Sequence, residues 1–99
     1  MQAEDDGMKA ERVQEPIETI PGWEIVDEGK AIRRTYRFPG FRASVAFVAY
    51  VAELAEAADH HPDIDIRYSK ITLTLTTHSE GGLTDKDFAL ARQIDGRGD

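Results

Sequence analysis

The feature that most constrains the fold is a run of strict alternation, DIDIRYSKITLTLTT, at residues 63–77. Ile64, Ile66 and Tyr68 alternate with Asp63, Asp65 and Arg67, and Ile71, Leu73 and Leu75 alternate with Thr72, Thr74 and Thr76. A period of two belongs to strands, because successive side chains of a strand point to opposite faces. A turn at Ser69-Lys70 pairs residue 68 with 71, 66 with 73 and 64 with 75, so apolar meets apolar at every step. The segment predicts a half-buried antiparallel hairpin, which needs a second layer to cover its apolar face.

That layer is legible on either side. Residues 41–58 hold neither Gly nor Pro, and Phe41, Val45, Val48, Ala52 and Ala55 fall on one helical stripe. Phe47, Val51 and Leu54 widen the stripe, leaving more apolar width than one small sheet can cover. Pro62 biases His61 away from helical angles, so the helix ends near Asp59. Thr84 opens a last helix with Phe88, Leu90, Ala91 and Ile94 as its apolar residues, and Asp87 closes a shortened capping box with Thr84. Upstream, GWEIV and AIRRTYRF read as two strands about the turn DEGK, with Ile32, Arg34, Tyr36 and Phe38 on one face. A short helix limited by Pro16 is expected within residues 9–20, and residues 1–8 read as a disordered acidic tail. The fold class is therefore α+β, in the order (α)-β-β-α-β-β-α. Residues 9–99 form a single domain, a four-stranded antiparallel sheet with helices on one face.

Composition excludes several functions. A net charge of −7 and a pI near 4.9 give no basic stripe for nucleic acid. No apolar run is long enough to span a membrane, and no basic segment followed by an apolar one stands at the start, so a cytoplasmic location is expected. The absence of cysteine removes disulfides, thiolate catalysis and cysteine–zinc sites.

All three histidines, His60, His61 and His78, lie in one segment. Extending the hairpin register outward pairs His61 with His78 on the threonine face, with His60 beside them. Such a cluster suits metal binding or proton transfer. The usual zinc spacings are absent, and adjacent residues in an extended segment diverge, so an open site of His61, His78 and Asp87 is the only metal arrangement to consider. Proton transfer fits better, because an unperturbed imidazole titrates near ~6.5. Glu56, Asp59 and Asp87 are carboxylates able to orient a ring. Taken singly, each histidine is most simply a cap or surface residue, Asp87 a first-turn carboxylate and the threonine run a solvated strand face.

The segment DHHPDIDIRYSKITLTLTTHSEGGLTDKDFALARQID closely resembles the centre of the pterin-4a-carbinolamine dehydratases, with His-His-Pro followed by Thr-His, a Gly-Leu-Thr turn and an Asp. GWEIVDEGKAIRRTYRFPGF is similar to the same family's Gly-Trp and basic-aromatic strand. The resemblance covers roughly residues 20–95. It implies loss of water from 4a-hydroxytetrahydropterin to give quinonoid dihydropterin, in tetrahydrobiopterin recycling, with no metal or organic cofactor. It assigns acid–base roles to His60 and His78 and substrate binding to His61. The implied binding set is Asp59, His60, His61, Pro62, Thr76, Thr77, His78 and Ser79, supported by Glu56 and Asp87. Family members form dimers and tetramers, and some bind a transcription factor or assist assembly of a carbon-fixing enzyme. A non-catalytic interaction module acting through Phe47, Val51 and Leu54 is the alternative. Self-association is expected through that face, or through an edge strand formed by ITLTLTT or AIRRTYRF.

Overall fold

A computed structural model describes residues 17–96. The expected acidic tail and most of the expected N-terminal helix lie outside the described residues; of that helix only a 3-10 turn, Ile17–Thr19, is seen. Four strands follow the expected order: β1 (Glu24–Val26), β2 (Ala31–Arg37), β3 (Asp63–Arg67) and β4 (Lys70–Leu75). Helix α1 spans Phe41–Ala58 between the two hairpins, and helix α2 spans Asp85–Asp95. The sheet is antiparallel throughout, in the order β1-β2-β4-β3.

This order corrects the expected edges. The threonine strand β4 and the basic-aromatic strand β2 are the two central strands, paired from Ile32↔Leu75 to Arg37↔Lys70. The edges are β1 and β3 instead, and all five residues of β3 are exposed.

The hairpin register is also displaced. The pairs are Ile66↔Ile71, Ile64↔Leu73 and Asp63↔Thr74, two residues from the expected alignment. The turn residues are Tyr68 and Ser69, between the closing pair Arg67↔Lys70, and Tyr68 takes the left-handed conformation at φ 55°. A tight two-residue hairpin requires positive φ at its centre, and alternation with a period of two cannot detect a slip of two. The apolar faces therefore still match, while Tyr68 leaves the ladder.

One sheet face is polar. Arg33, Thr35, Thr72 and Thr74 line it, and the Thr35 and Thr72 hydroxyls meet across the strands at 3.0 Å. The other face carries Ile32, Ile71, Leu73 and Leu75, all fully buried beneath the helices. Helix α1 contributes Phe47 and Val51, at 1% and 0% exposure, which corrects their expected place on an outer patch. They lie one turn apart on the inward stripe, and Tyr36 and Phe38 of the second strand region pack on Phe47 with ring centroids 4.6 and 5.0 Å away. Helix α2 adds Phe88, Leu90, Ala91 and Ile94 to the same core. Truncating a ring as enclosed as Phe47 to alanine costs about 3–5 kcal/mol. Among the described residues the large apolar side chains that remain exposed are Ile25, Phe41, Val45, Ile64, Ile66 and Tyr68.

Candidate active site

The exit of α1 sets the position of the first histidine. Asp59 adopts left-handed angles, φ 53° and ψ 44°, as the helix C-cap. Its N–H donates to the Glu56 carbonyl at 3.2 Å and the His60 N–H donates to the Ala55 carbonyl at 3.0 Å. This double closure is the Schellman pattern, with aspartate where glycine is usual. It ends the helix sharply, and Pro62 keeps it ended.

The His60 ring is directed to the helix layer, where Nε2 lies 2.6 Å from Oδ1 of Asp87. The expectation that the histidines stand on the threonine face of the sheet is corrected for His60. The pair is enclosed, with side-chain exposures of 11% for His60 and 0% for Asp87.

Asp87 is held from the opposite side. Its Oδ2 accepts the Thr77 hydroxyl at 2.8 Å and the Thr84 N–H at 2.9 Å. The second bond belongs to the expected capping box at the start of α2, in which Thr84 Oγ1 also accepts the Lys86 N–H at 3.2 Å. The Thr77 and Thr84 hydroxyls are 2.8 Å apart. One carboxylate thus caps a helix with one oxygen and engages an imidazole with the other. A carboxylate only accepts hydrogen bonds, so the proton in the short contact belongs to Nε2 of His60. The lone pair of a neutral ring is then on Nδ1, which has no hydrogen-bond partner among the described residues.

The other expected site residues are more dispersed. His61 is exposed and its Nε2 meets Oε2 of Glu56 at 2.6 Å, one turn back on α1. His78 is exposed at the start of a 3-10 turn, His78–Glu80, and its ring makes no hydrogen bond or ion pair with a described residue. The observed ladder, extended outward, sets His61 opposite Thr76, so the pairing of His61 with His78 by register does not occur. The Thr76 hydroxyl donates to the Lys30 carbonyl at 2.6 Å, and Ser79 is exposed. Thr77 is buried and bridges Gly82 through backbone bonds in both directions. Asp59 is exposed and Pro62 half-buried beside the pair. Among the described residues no group of three or more His, Cys, Asp or Glu is placed to hold a metal ion. A shallow depression of about 180 Å³ lies at the first turn of α2, lined by Glu80, Thr84, Asp85 and Lys86.

Thr84 is the member that sequence reasoning missed. It was legible as a cap, and its partner Asp87 as a supporting carboxylate, yet nothing in the pattern joined Thr77 to them.

The family model described as pterin 4 alpha carbinolamine dehydratase matches residues 6–97 of the chain. The chain belongs to that family. A Roseiflexus sp. (strain RS-1) protein assigned by name to the pterin-4-alpha-carbinolamine dehydratases is 55% identical over 83 residues, covering 84% of this chain and 87% of its own. A Mycobacterium sp. (strain KMS) protein assigned in the same way is 49% identical over 85 residues, covering 86% and 88%. Among solved structures, the transcriptional coactivator/pterin dehydratase from Brucella melitensis superposes with a TM-score of 0.76 at 33% identity, over 96% of this chain and 93% of that one. A pterin dehydratase-like protein described as a RuBisCO assembly factor of the alpha-carboxysome shares the fold, with a TM-score of 0.64 at 21% identity over 75% of this chain and 86% of that one. No helix among the described residues is long and apolar enough to cross a membrane.

Proposed function

We infer that the chain is a pterin-4a-carbinolamine dehydratase that removes the 4a-hydroxyl of a 4a-hydroxytetrahydropterin as water. His60 and His78 exchange the protons, and His61 holds the substrate. The observation that carries this reading is the enclosed His60–Asp87 contact at 2.6 Å, which fixes an imidazole and leaves its Nδ1 unpaired. In the reaction the C4a–O bond breaks as a proton reaches the departing oxygen, and a ring N–H proton leaves as the C=N bond forms. Water and a quinonoid dihydropterin result, with no net oxidation. A neutral imidazole can take the ring proton and an imidazolium can protonate the hydroxyl. His78, whose ring has no partner among the described residues, can turn toward a bound pterin.

The test is dehydration of 4a-hydroxytetrahydropterin generated in place by an aromatic amino-acid hydroxylase. The purified chain accelerates it, and a chelator leaves the rate unchanged. Replacing His78 by alanine lowers the rate by about 10²-fold, as loss of a positioned acid–base group does. No acceleration with the histidines intact overturns the assignment and leaves a non-catalytic interaction module.

The active form in this reading is a homo-oligomer, and the second copy docks at the β3 edge. Ile64 and Ile66 are exposed there, and Phe41 and Tyr68 continue the patch with stacked rings 6.3 Å apart. Charge selects the register of a two-fold antiparallel pairing. Centred on Ile66, it sets Asp65 against the second copy's Arg67, whereas centres at Asp65 or Ile64 oppose carboxylates. Light scattering at micromolar concentration should give at least a dimer, and Ile66→Lys should reduce it. A wild-type monomer of 11.0 kDa across that range rules the pairing out.

A further inference from the structure

Helix capping accounts for the Thr84–Asp87 bonds but not for Thr77. Thr77 comes from a separate element, the segment after β4, and its buried hydroxyl reaches the same Oδ2 at 2.8 Å. Main-chain groups of this segment were expected to meet substrate, and the Thr77 side chain points the other way, into the helix cap.

The hydrogens in this group run one way. Thr77 gives its only hydroxyl proton to Oδ2, so in its 2.8 Å contact with Thr84 it must accept. Thr84 therefore donates to Thr77 while its oxygen accepts from the Lys86 N–H. With Oδ2 fixed by two donors, the carboxylate cannot rotate without leaving a buried donor unpaired. Oδ1 is thereby aimed at Nε2 of His60.

We propose that Thr77, acting through Asp87, is a positioning residue that locks His60 in the Nε2–H tautomer and so reserves Nδ1 as its proton-accepting nitrogen. The proposal rests on the reading of His60 as an acid–base group. The hydrogen bond made by one ring nitrogen sets which tautomer a histidine holds. For metal-bound histidines the loss of such a second layer costs about 10–100-fold in metal affinity or activity, and the low end of that range is taken as the expected effect at His60. Thr77 itself touches no reacting atom.

The experiment is a two-bond ¹H–¹⁵N correlation spectrum of the imidazoles in the full ¹⁵N-labelled chain without substrate, paired with steady-state kinetics. Wild-type His60 should show the Nε2–H pattern when neutral. Thr77→Val should raise the Nδ1–H fraction and lower kcat about tenfold with KM unchanged, and Thr77→Ser should restore both. Thr77→Ala replaces the valine variant if that one does not fold. A wild-type His60 in the Nδ1–H form overturns the proposal. So does a hydroxyl-free variant with wild-type tautomer and kcat, or a serine variant that behaves like valine. A purely packing role would lower Tm without moving the tautomer. Failure of the underlying reading looks different: His60→Ala would keep the wild-type rate whatever the tautomer.

Discussion

Helix α2 carries a carboxylate hub at each end, and the two are built for different ends. At the N-terminal turn, Asp87 accepts from Thr77, Thr84 and His60. At the last residue, Asp95 accepts the Trp23 Nε1–H at 2.8 Å, the Arg34 Nη1–H at 3.1 Å and the Tyr36 hydroxyl at 2.5 Å. Both tie the helix to distant chain. Every partner of Asp95 is an indole, guanidinium or phenol, none of which exchanges a proton readily near neutrality. Arg34 is further fixed by the Pro21 carbonyl and by packing on Gly22, where any Cβ would lie 2.6 Å from its guanidinium carbon. The Asp87 hub alone includes an imidazole with a second nitrogen left over.

Cavity size taken alone would choose the other end. The depression beside Asp95, lined by Thr19, Ile20, Pro21, Arg34, Arg92 and Gly96, is about 320 Å³, larger than the 180 Å³ hollow at the first turn of α2. Chemistry decides against size here. One ion pair and two neutral donors on Asp95 anchor the β1–β2 hairpin and Trp23 to α2, whereas a hub with an unspent imidazole nitrogen offers a group able to move protons.

The largest expected effect breaks the Asp87 end. His60→Ala should lower the dehydration rate by about 10²-fold or more while the protein stays folded by circular dichroism; an unchanged rate removes the contrast. Next comes Asp95→Ala, which leaves Trp23, Arg34 and Tyr36 without their shared acceptor. Urea titration should show a loss of about 1–3 kcal/mol, with the rate per folded molecule unaltered. Trp23→Phe removes one of those donors and should cost about 1 kcal/mol by the same titration. The smallest effect belongs to Glu56→Ala. Its pair with His61 is solvent-exposed on both sides, so Tm should not change measurably, and a clear fall would place that pair with the structural hubs.

Much of this contrast was readable in the chain, and the losses have specific causes. The extent of α1 followed from an uninterrupted apolar stripe stopped before Pro62, and the α2 cap from Thr84 and Asp87 at capping-box spacing. Alternation gave the hairpin faces but not its register, because Tyr68 in a left-handed turn moves the pairing by a full period. Edge and centre were interchanged because a threonine face looks the same in sequence whether its strand has one neighbour or two. Phe47 and Val51 form the inward stripe with Ser44 and Ala55, while Phe41 and Val45 of the expected stripe stay exposed, because the apolar arc is wide enough for either side of it to be turned to the sheet. The motif singled out His60 as a candidate acid–base group, whereas the convergence of Thr77 and Thr84 on Asp87 depends on a tertiary contact with no sequence spacing of its own.

The most direct test compares the two carboxylates in one assay. Single-turnover dehydration of 4a-hydroxytetrahydropterin is measured for Asp87→Asn and Asp95→Asn, each normalised to its folded fraction. With Asp87 acting through His60 and Asp95 only anchoring, the Asp87 variant should slow by about tenfold or more and the Asp95 variant should match wild type. Equal losses in the two variants, or a greater loss at Asp95, would contradict the account.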